Sequence, residues 1–158
     1  IRTEMVADLA AEALFGESSE LYLKLYEEGL IDSSFGGGFE TIDGCAMLMC
    51  SGDSNEPDAV REAILAQGEK LAREGLEEDD FLRLKRSALG RRIRSLDSFD
   101  ATCFRVCAYH FSDFDYFRFP EIFRDISVQD LQRFLARVVT RERSALSVIT
   151  PITKEETT

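Results

Sequence analysis

The sequence predicts an α+β fold, an antiparallel sheet layered with helices. Residues 34–41 and 45–51 have strand character and flank one turn dipeptide, Asp43-Gly44. Around them lie segments whose apolar residues recur with helical period. A last strand-like run, residues 145–150, is stopped by Pro151. The expected order is two helices, a hairpin, three or four helices and a closing strand. Strands gathered at a hairpin, with helices collected elsewhere, distinguish this pattern from an alternating α/β fold.

Thr3 is placed to cap a first helix with Met5, Val6, Leu9, Ala10, Ala13 and Leu14 inward. Gly16 follows this run and suits a left-handed helix stop. Ser18 or Ser19 then offers a side-chain oxygen to the amides of a second helix, with Glu17 and Glu20 near its positive end. Leu21, Tyr22, Leu25 and Tyr26 form one apolar stripe, and Gly29 stops the helix. Gly36-Gly37-Gly38, inside a strand pattern, suggests a bulge or a close backbone approach. CAMLMCS (45–51) is apolar on both faces, which implies a central strand covered on both sides or a strand at a domain contact.

Pro57 sits where a missing amide costs nothing and opens a long helix lined by Val60, Ala63, Ile64 and Leu71, ending at Gly75. Glu77–Asp80 and Arg91, Arg92 and Arg94 mark the two ends of the next helix, matching its dipole. Phe81, Leu82, Leu89, Ile93 and Leu96 are its expected buried face. Ser98 caps a helix bearing Phe99, Cys103, Val106, Cys107, His110 and Phe111. DFDYFRF (113–119) reads as an aromatic loop or short turn ending at Pro120. Ser127 and Asp130 resemble a capping box, and Leu131, Phe134, Leu135 and Val138 face inward after it. Residues 1–152 form the single expected domain, and 153–158 a polar tail.

A chain of 158 residues with 44% hydrophobic content can bury a substantial core. Its net charge of -11 argues against nucleic acid, which needs a basic surface. The charge is uneven: residues 1–80 hold 20 acidic and 5 basic side chains, residues 81–158 hold 10 and 14. Solvated helix faces account for this, and so does a polarised surface that meets a second domain or a charged peptide. No run approaches the ~20 apolar residues of a membrane span, and the start shows no signal segment. Opening on Ile1 in a helical pattern, the chain reads as a piece of a longer one. Cys45, Cys50, Cys103 and Cys107 lack zinc-site spacing and are expected to be buried, reduced thiols of a cytoplasmic protein.

The stretch Leu14-Phe15-Gly16, Ser18-Ser19, Leu21-Tyr22 and Leu25-Tyr26-Glu27-Glu28-Gly29-Leu30-Ile31-Asp32 resembles the insulinase, pitrilysin and mitochondrial-processing-peptidase family of zinc peptidases. The order of elements follows that family over nearly the whole chain, and "LYEEGLID" is most similar to its bacterial cytoplasmic branch. The resemblance implies an α/β sandwich, here the non-catalytic C-terminal domain, with opening strands that precede Ile1. It also implies that zinc belongs to a separate N-terminal catalytic half carrying H-x-x-E-H. In that family an Arg and a Tyr of the equivalent stretch hold the substrate. Here those positions are Tyr26 and Asp32, so the charge-assisted donor is missing.

Catalysis by this chain alone is not expected. His110 is its one histidine and is expected in the core or a loop, with no Glu-His partner. Cys103 or Cys107 could pair with His110, but no orienting carboxylate follows at a suitable spacing. No Lys-Ser or Lys-Thr follows the glycines, so they are not a phosphate loop. Glu77–Asp80 is a helix start before it is a metal site. The function implied is a non-catalytic peptidase domain that closes a substrate chamber and supports peptide binding. The alternative is an inactive relative that scaffolds a partner. Expected partners are the catalytic half, a paired family subunit and peptide, with self-association through uncovered strands.

Overall fold

Helix α1 (Arg2–Phe15) is buried on more than one side, with Met5, Val6, Ala7, Leu9, Ala10, Ala11, Leu14 and Phe15 all inaccessible. The computed structural model describes residues 1–42 and 44–151, and within them every layer is built against this helix. Three alanines keep parts of its surface flat, so neighbours approach closely. Thr3 does not cap it: the helix begins at Arg2, and Ile1 at the cap has no side-chain acceptor. Gly16 ends it in an extended conformation (φ -61°, ψ 147°), not the left-handed one expected. Glycine is still required there, because a Cβ would lie 2.5 Å from the Glu12 carbonyl oxygen.

Ser19 joins α1 to helix α2 (Glu20–Glu27). Its hydroxyl accepts from the Tyr22 N–H at 3.1 Å and donates to the Leu14 carbonyl at 3.1 Å. At the far end Gly29 takes φ 68°, and the Leu30 N–H reaches back to the Leu25 carbonyl at 2.9 Å. This is the Schellman closure expected of a glycine stop.

The hairpin pairs β1 (Gly36–Ile42) with β2 (Cys45–Ser51) in antiparallel register, Gly37 opposite Cys50 and Phe39 opposite Leu48. Gly44 turns with φ 83°, while Asp43 lies outside the described residues. The close approach expected at the glycines occurs at Gly37. A Cβ there would stand 2.7 Å from the Phe15 ring and 2.6 Å from the Met49 carbonyl. Residues 37, 39, 46, 48 and 50 therefore share the α1 side, and Gly36, Gly38, Glu40, Met47 and Met49 the other. Within the described residues no layer covers that second face, and β2 is exposed along its length except at half-buried Leu48.

Helix α3 (Pro57–Glu74) packs against α7 (Val128–Val138), with Gly68 so close to Val139 that a Cβ would meet its methyl at 2.4 Å. Gly75 ends α3 with φ 77°. Helix α4 (Glu78–Arg94) buries only Phe81 fully, and Leu82 and Ile93, expected inside, are exposed. Helix α5 (Phe99–His110) is capped by Ser98 as expected, yet buries no side chain completely. Its inner face of Val106 and Tyr109 touches the core, while Phe99 (80% exposed), Cys103, Phe104 and Cys107 turn outward. Of the expected stripe, Val106 alone packs against the core among the described residues.

The aromatic stretch before Pro120 continues into a helix rather than ending as a loop. After a 3-10 turn at Tyr116–Arg118, α6 (Phe119–Asp125) buries Phe119 and Phe123, and Pro120 serves its first turn. The capping box opens α7 as expected, Ser127 and Asp130 bonding reciprocally, and Leu131 and Leu135 become inaccessible. Residues 145–150 form no strand: neither β1 nor β2 pairs with them, and Ile149 is 95% exposed. Strand propensity is expressed only where a ladder partner exists. The polar tail at 153–158 lies outside the described residues.

Asp130 also ties α7 to α1, accepting from Arg2 at 2.8 Å and from Arg133 at 2.7 Å. Burial would raise its pKa, but hydrogen bonds from Ser127, then Arg133 and the charge of Arg2, hold it at about 2. Its stabilisation is present above the ordinary carboxylate range and is lost as pH falls through about 2. Asp130→Asn should therefore cost about 1–2 kcal/mol near neutrality in denaturant melts. The gap between variant and parent should close on acidification; a gap unchanged at the acid end would show that the charge is not its source.

Candidate functional site

Tyr26 and Asp32 lie at the surface on either side of the Gly29 stop, and they do different work. The Tyr26 ring stacks on buried Tyr22 with centroids 5.9 Å apart and planes at 10°. Tyr22 in turn packs against Phe35 at 6.2 Å. Tyr26 is thus a fixed phenol, 53% exposed. Desolvation, with Glu17, Tyr26 and Asp32 nearby, pushes the Tyr22 phenol upward. Asp32 is committed to its own turn. Its carboxylate accepts from the Ser34 hydroxyl and, at 2.7 Å, from the Ser34 N–H, which hold its pKa below the usual range. The Ser34 oxygen then accepts from the Asp53 N–H at 3.1 Å, linking the two loops at one end of the hairpin.

A second constellation escaped the sequence reading. Glu4, Asp8 and Glu12 follow one another at helical i, i+4 spacing on α1, and each meets a donor from elsewhere. Glu4 accepts from the Tyr109 hydroxyl. Asp8 pairs with Arg92 at 3.1 Å, and Glu12 with Arg91 at 3.0 Å. Arg105 donates to the Ser95 hydroxyl at 2.7 Å, and Ser95 donates to the Arg92 carbonyl at 2.7 Å. Asp8, Glu12, Arg91, Arg92, Ser95 and Arg105, with the glycine strand, line a cleft of about 310 Å³.

Arg92 is its buried cation, 17% exposed, with its guanidinium carbon 6.0 Å from the Phe119 ring and 5.8 Å from Phe123. Among the described residues its Nη1 has no hydrogen-bond partner, and its charge rests on Asp8 and the two ring faces. The signal was present in Arg91-Arg92 and the acidic stripe, but each alone reads as a solvated helix feature. The cleft offers three guanidinium groups and two carboxylates, with Ser95 as its one hydroxyl and no histidine or cysteine. Its chemistry is electrostatic clamping, not nucleophilic attack.

The cysteines are not buried. Cys45, Cys50, Cys103 and Cys107 are all free and exposed. Placing them inside assumed that both faces of β2 and the α5 stripe were covered. His110 stands exposed at the end of α5, beside the Phe111 ring, rather than in the core. Among the described residues no group of three His, Cys, Asp or Glu side chains could hold a metal ion.

A family profile described as the peptidase M16 inactive domain matches residues 1–88. The chain belongs to that family. The insulinase-family C-terminal domain inferred from Leu14–Asp32 is thus borne out. The chain is 28% identical over 155 residues to the uncharacterized zinc protease YmfH of Bacillus subtilis (strain 168), covering 96% of this chain but 35% of that protein. It therefore spans about a third of that relative's length. Its fold matches a candidate M16-like peptidase of Alicyclobacillus acidocaldarius with TM-score 0.76 at 20% identity, over 85% of this chain and 32% of that one. A candidate zinc protease of Bordetella pertussis Tohama I gives TM-score 0.70 at 18% identity, over 90% and 81%. At these identities the structures establish fold alone. Like them the M16 inactive domain here is α+β, and no helix in its described residues is long and apolar enough to cross a membrane.

The cleft makes Asp8 the unusual acid of this domain. Burial, opposed by Arg92 and reinforced by Glu4 and Glu40, raises its pKa to about 6. The folded state then holds this proton where the unfolded chain has lost it. The stability from Asp8 is full at acid pH and is lost as pH rises through about 6. Carbon-detected NMR of the Asp8 carboxyl should show that midpoint; titration in the ordinary carboxylate range would contradict this half-buried setting.

Proposed function

We propose that this M16 inactive domain is the non-catalytic C-terminal half of a bacterial, cytoplasmic zinc peptidase. It closes one side of a substrate chamber and supports peptide binding, while zinc belongs to a separate catalytic half. The observation that carries this reading is the family match combined with the chain's ligand chemistry. One isolated histidine cannot supply the metal site that the name of the Bacillus relative implies for a whole protein. Four free, exposed thiols suit a reducing compartment. Tyr26 is the residue assigned to peptide, because its phenol is held by stacking and open to solvent. Asp32, the other position, is held in its own turn by Ser34.

The outward face of α5 favours one other reading. Phe99, Phe104 and Phe111 (89% exposed) suit an inactive relative that scaffolds a partner protein. The two readings separate in the longer parent protein. Removing residues 1–158 should abolish cleavage of fluorogenic peptides and leave the parent's zinc content unchanged. A scaffold would lose partner binding, with any cleavage unaffected. The isolated chain should carry no stoichiometric zinc and leave a peptide library uncut. Chelator-sensitive cleavage by the pure chain would overturn the assignment.

A further inference from the structure

The charged cleft holds more cation than tying α1 to α4 consumes. Asp8 answers Arg92 at 3.1 Å and Glu12 answers Arg91 at 3.0 Å, one acid to one base. Arg105 is the third guanidinium on the wall, and among the described residues no carboxylate pairs with it. Its Nη1 donates instead to the neutral Ser95 hydroxyl at 2.7 Å, which in turn donates to the Arg92 carbonyl at 2.7 Å. Ser95 thus fixes the Arg105 head beside Arg92 and leaves its charge uncancelled. Arg92 adds a second open group, the buried Nη1 that has no partner among the described residues. A joint built for stability alone matches its charges and leaves no buried donor open. With three arginines against Asp8 and Glu12, the cleft is a positive concavity in a chain of net charge -11.

We infer that this cleft is a carboxylate subsite for peptide, in which Arg105 and the open Nη1 of Arg92 grip one carboxylate, either a C-terminal α-carboxylate or an acidic side chain. A guanidinium presents its N–H groups as a planar fork that matches the two oxygens of a carboxylate. The acidic chain around the cleft repels a polyanion, so a single negative group is the charge it suits. Its volume of about 310 Å³ lies in the ~300–1,000 Å³ range of small-ligand sites and exceeds what a bare carboxylate fills. A second hollow continues it: Glu12, Gly37 and Arg91 line both, and Phe15, Gly36 and Phe35 line the extension. Phe35 packs on Tyr22, the ring that supports Tyr26. Gly36 and Gly37 carry no side chain to obstruct an extended chain between the two ends. The peptide source rests on the function proposed above, whereas the carboxylate chemistry rests on the cleft alone.

Asp8 competes with the ligand for Arg92. The other titratable and charged groups around it are Glu4 and Glu12 on α1, Glu40 on β1, Arg91 on α4, and Arg105 and Tyr109 on α5. Asp8, raised to about 6 chiefly by burial, gains a proton on mild acidification and releases Arg92 to the ligand. A peptide carboxylate stays ionised there, since its ordinary pKa is about 3.3–4.3.

NMR titration of the 158-residue chain at low salt tests the site. The probes are acetylated tetra-alanine with a free C-terminus, the same peptide amidated, and an amidated version bearing one glutamate. At least one acid should bind, and the tighter of the two identifies the source. The neutral amide should bind at least about tenfold more weakly. Arg105→Gln should weaken the bound peptide by about tenfold or more with an unchanged circular dichroism spectrum. Arg86→Gln, at an exposed position of α4 outside the cleft, should change nothing. Asp8→Asn keeps the neutral form that burial favours, so it should bind more tightly at neutral pH and abolish the gain the parent shows in mild acid. Acid and amide binding alike overturn the inference. So does Arg105→Gln binding as well as the parent, or Arg86→Gln weakening as much as Arg105→Gln. Acetate that binds as tightly as either acidic peptide overturns the peptide source. None of these titrations needs zinc or cleavage. Their failure leaves the peptidase reading standing, and a parent that cuts no peptide leaves the carboxylate site standing.

Discussion

Burying a helix on nearly all sides constrains every element around it, and α1 imposes that constraint here. Each of its large inaccessible side chains contributes about 1.5–3 kcal/mol by leaving water, provided that all its neighbours are in place. Its small positions let the surroundings close in, and Gly37 lets the hairpin lie on Phe15. The few polar residues left on α1 are not spare. Arg2 bonds to α7, Glu4 to Tyr109 of α5, and Asp8 and Glu12 to Arg92 and Arg91 of α4. The same helix is the apolar hub and the source of the ionic fasteners.

Order falls away from that hub. α7 and α2 share its core, whereas β2, α5 and residues 145–150 present apolar side chains to solvent. The result is a core that fixes the scaffold and, among the described residues, a periphery left open. Tyr26 belongs to both. Its ring is anchored through Tyr22 and Phe35, and its hydroxyl is exposed on the side where a peptide is proposed to lie. The charged cleft under the glycine strand ties α1 to α4 through Asp8–Arg92 and Glu12–Arg91.

Local signals in the sequence were legible because their causes are local. Ser19, Ser98 and the Ser127–Asp130 box cap helices through contacts three residues away, and Gly29 and Gly75 stop helices through their own backbone. The α+β class and the family followed from the order of such elements. Two local readings failed, the Thr3 cap and the left-handed stop at Gly16; the other failures depended on distant partners. The α5 stripe, the cysteines and the 145–150 run have the composition of buried elements, yet burial needs a covering layer that no local pattern reveals. The charged cleft was hidden for the converse reason. Its acids and arginines lie more than 75 residues apart, and each set has an adequate explanation on its own helix.

Native-state hydrogen exchange tests the central role of α1 most directly. If the helix is the hub, the amides of Met5 to Phe15 exchange only through global unfolding, and their opening free energy matches the total stability of the chain. Amides of β2 and α5 should exchange through smaller local openings. Exchange of α1 as rapid as that of α5, or an α1 opening energy well below the global value, would contradict the account.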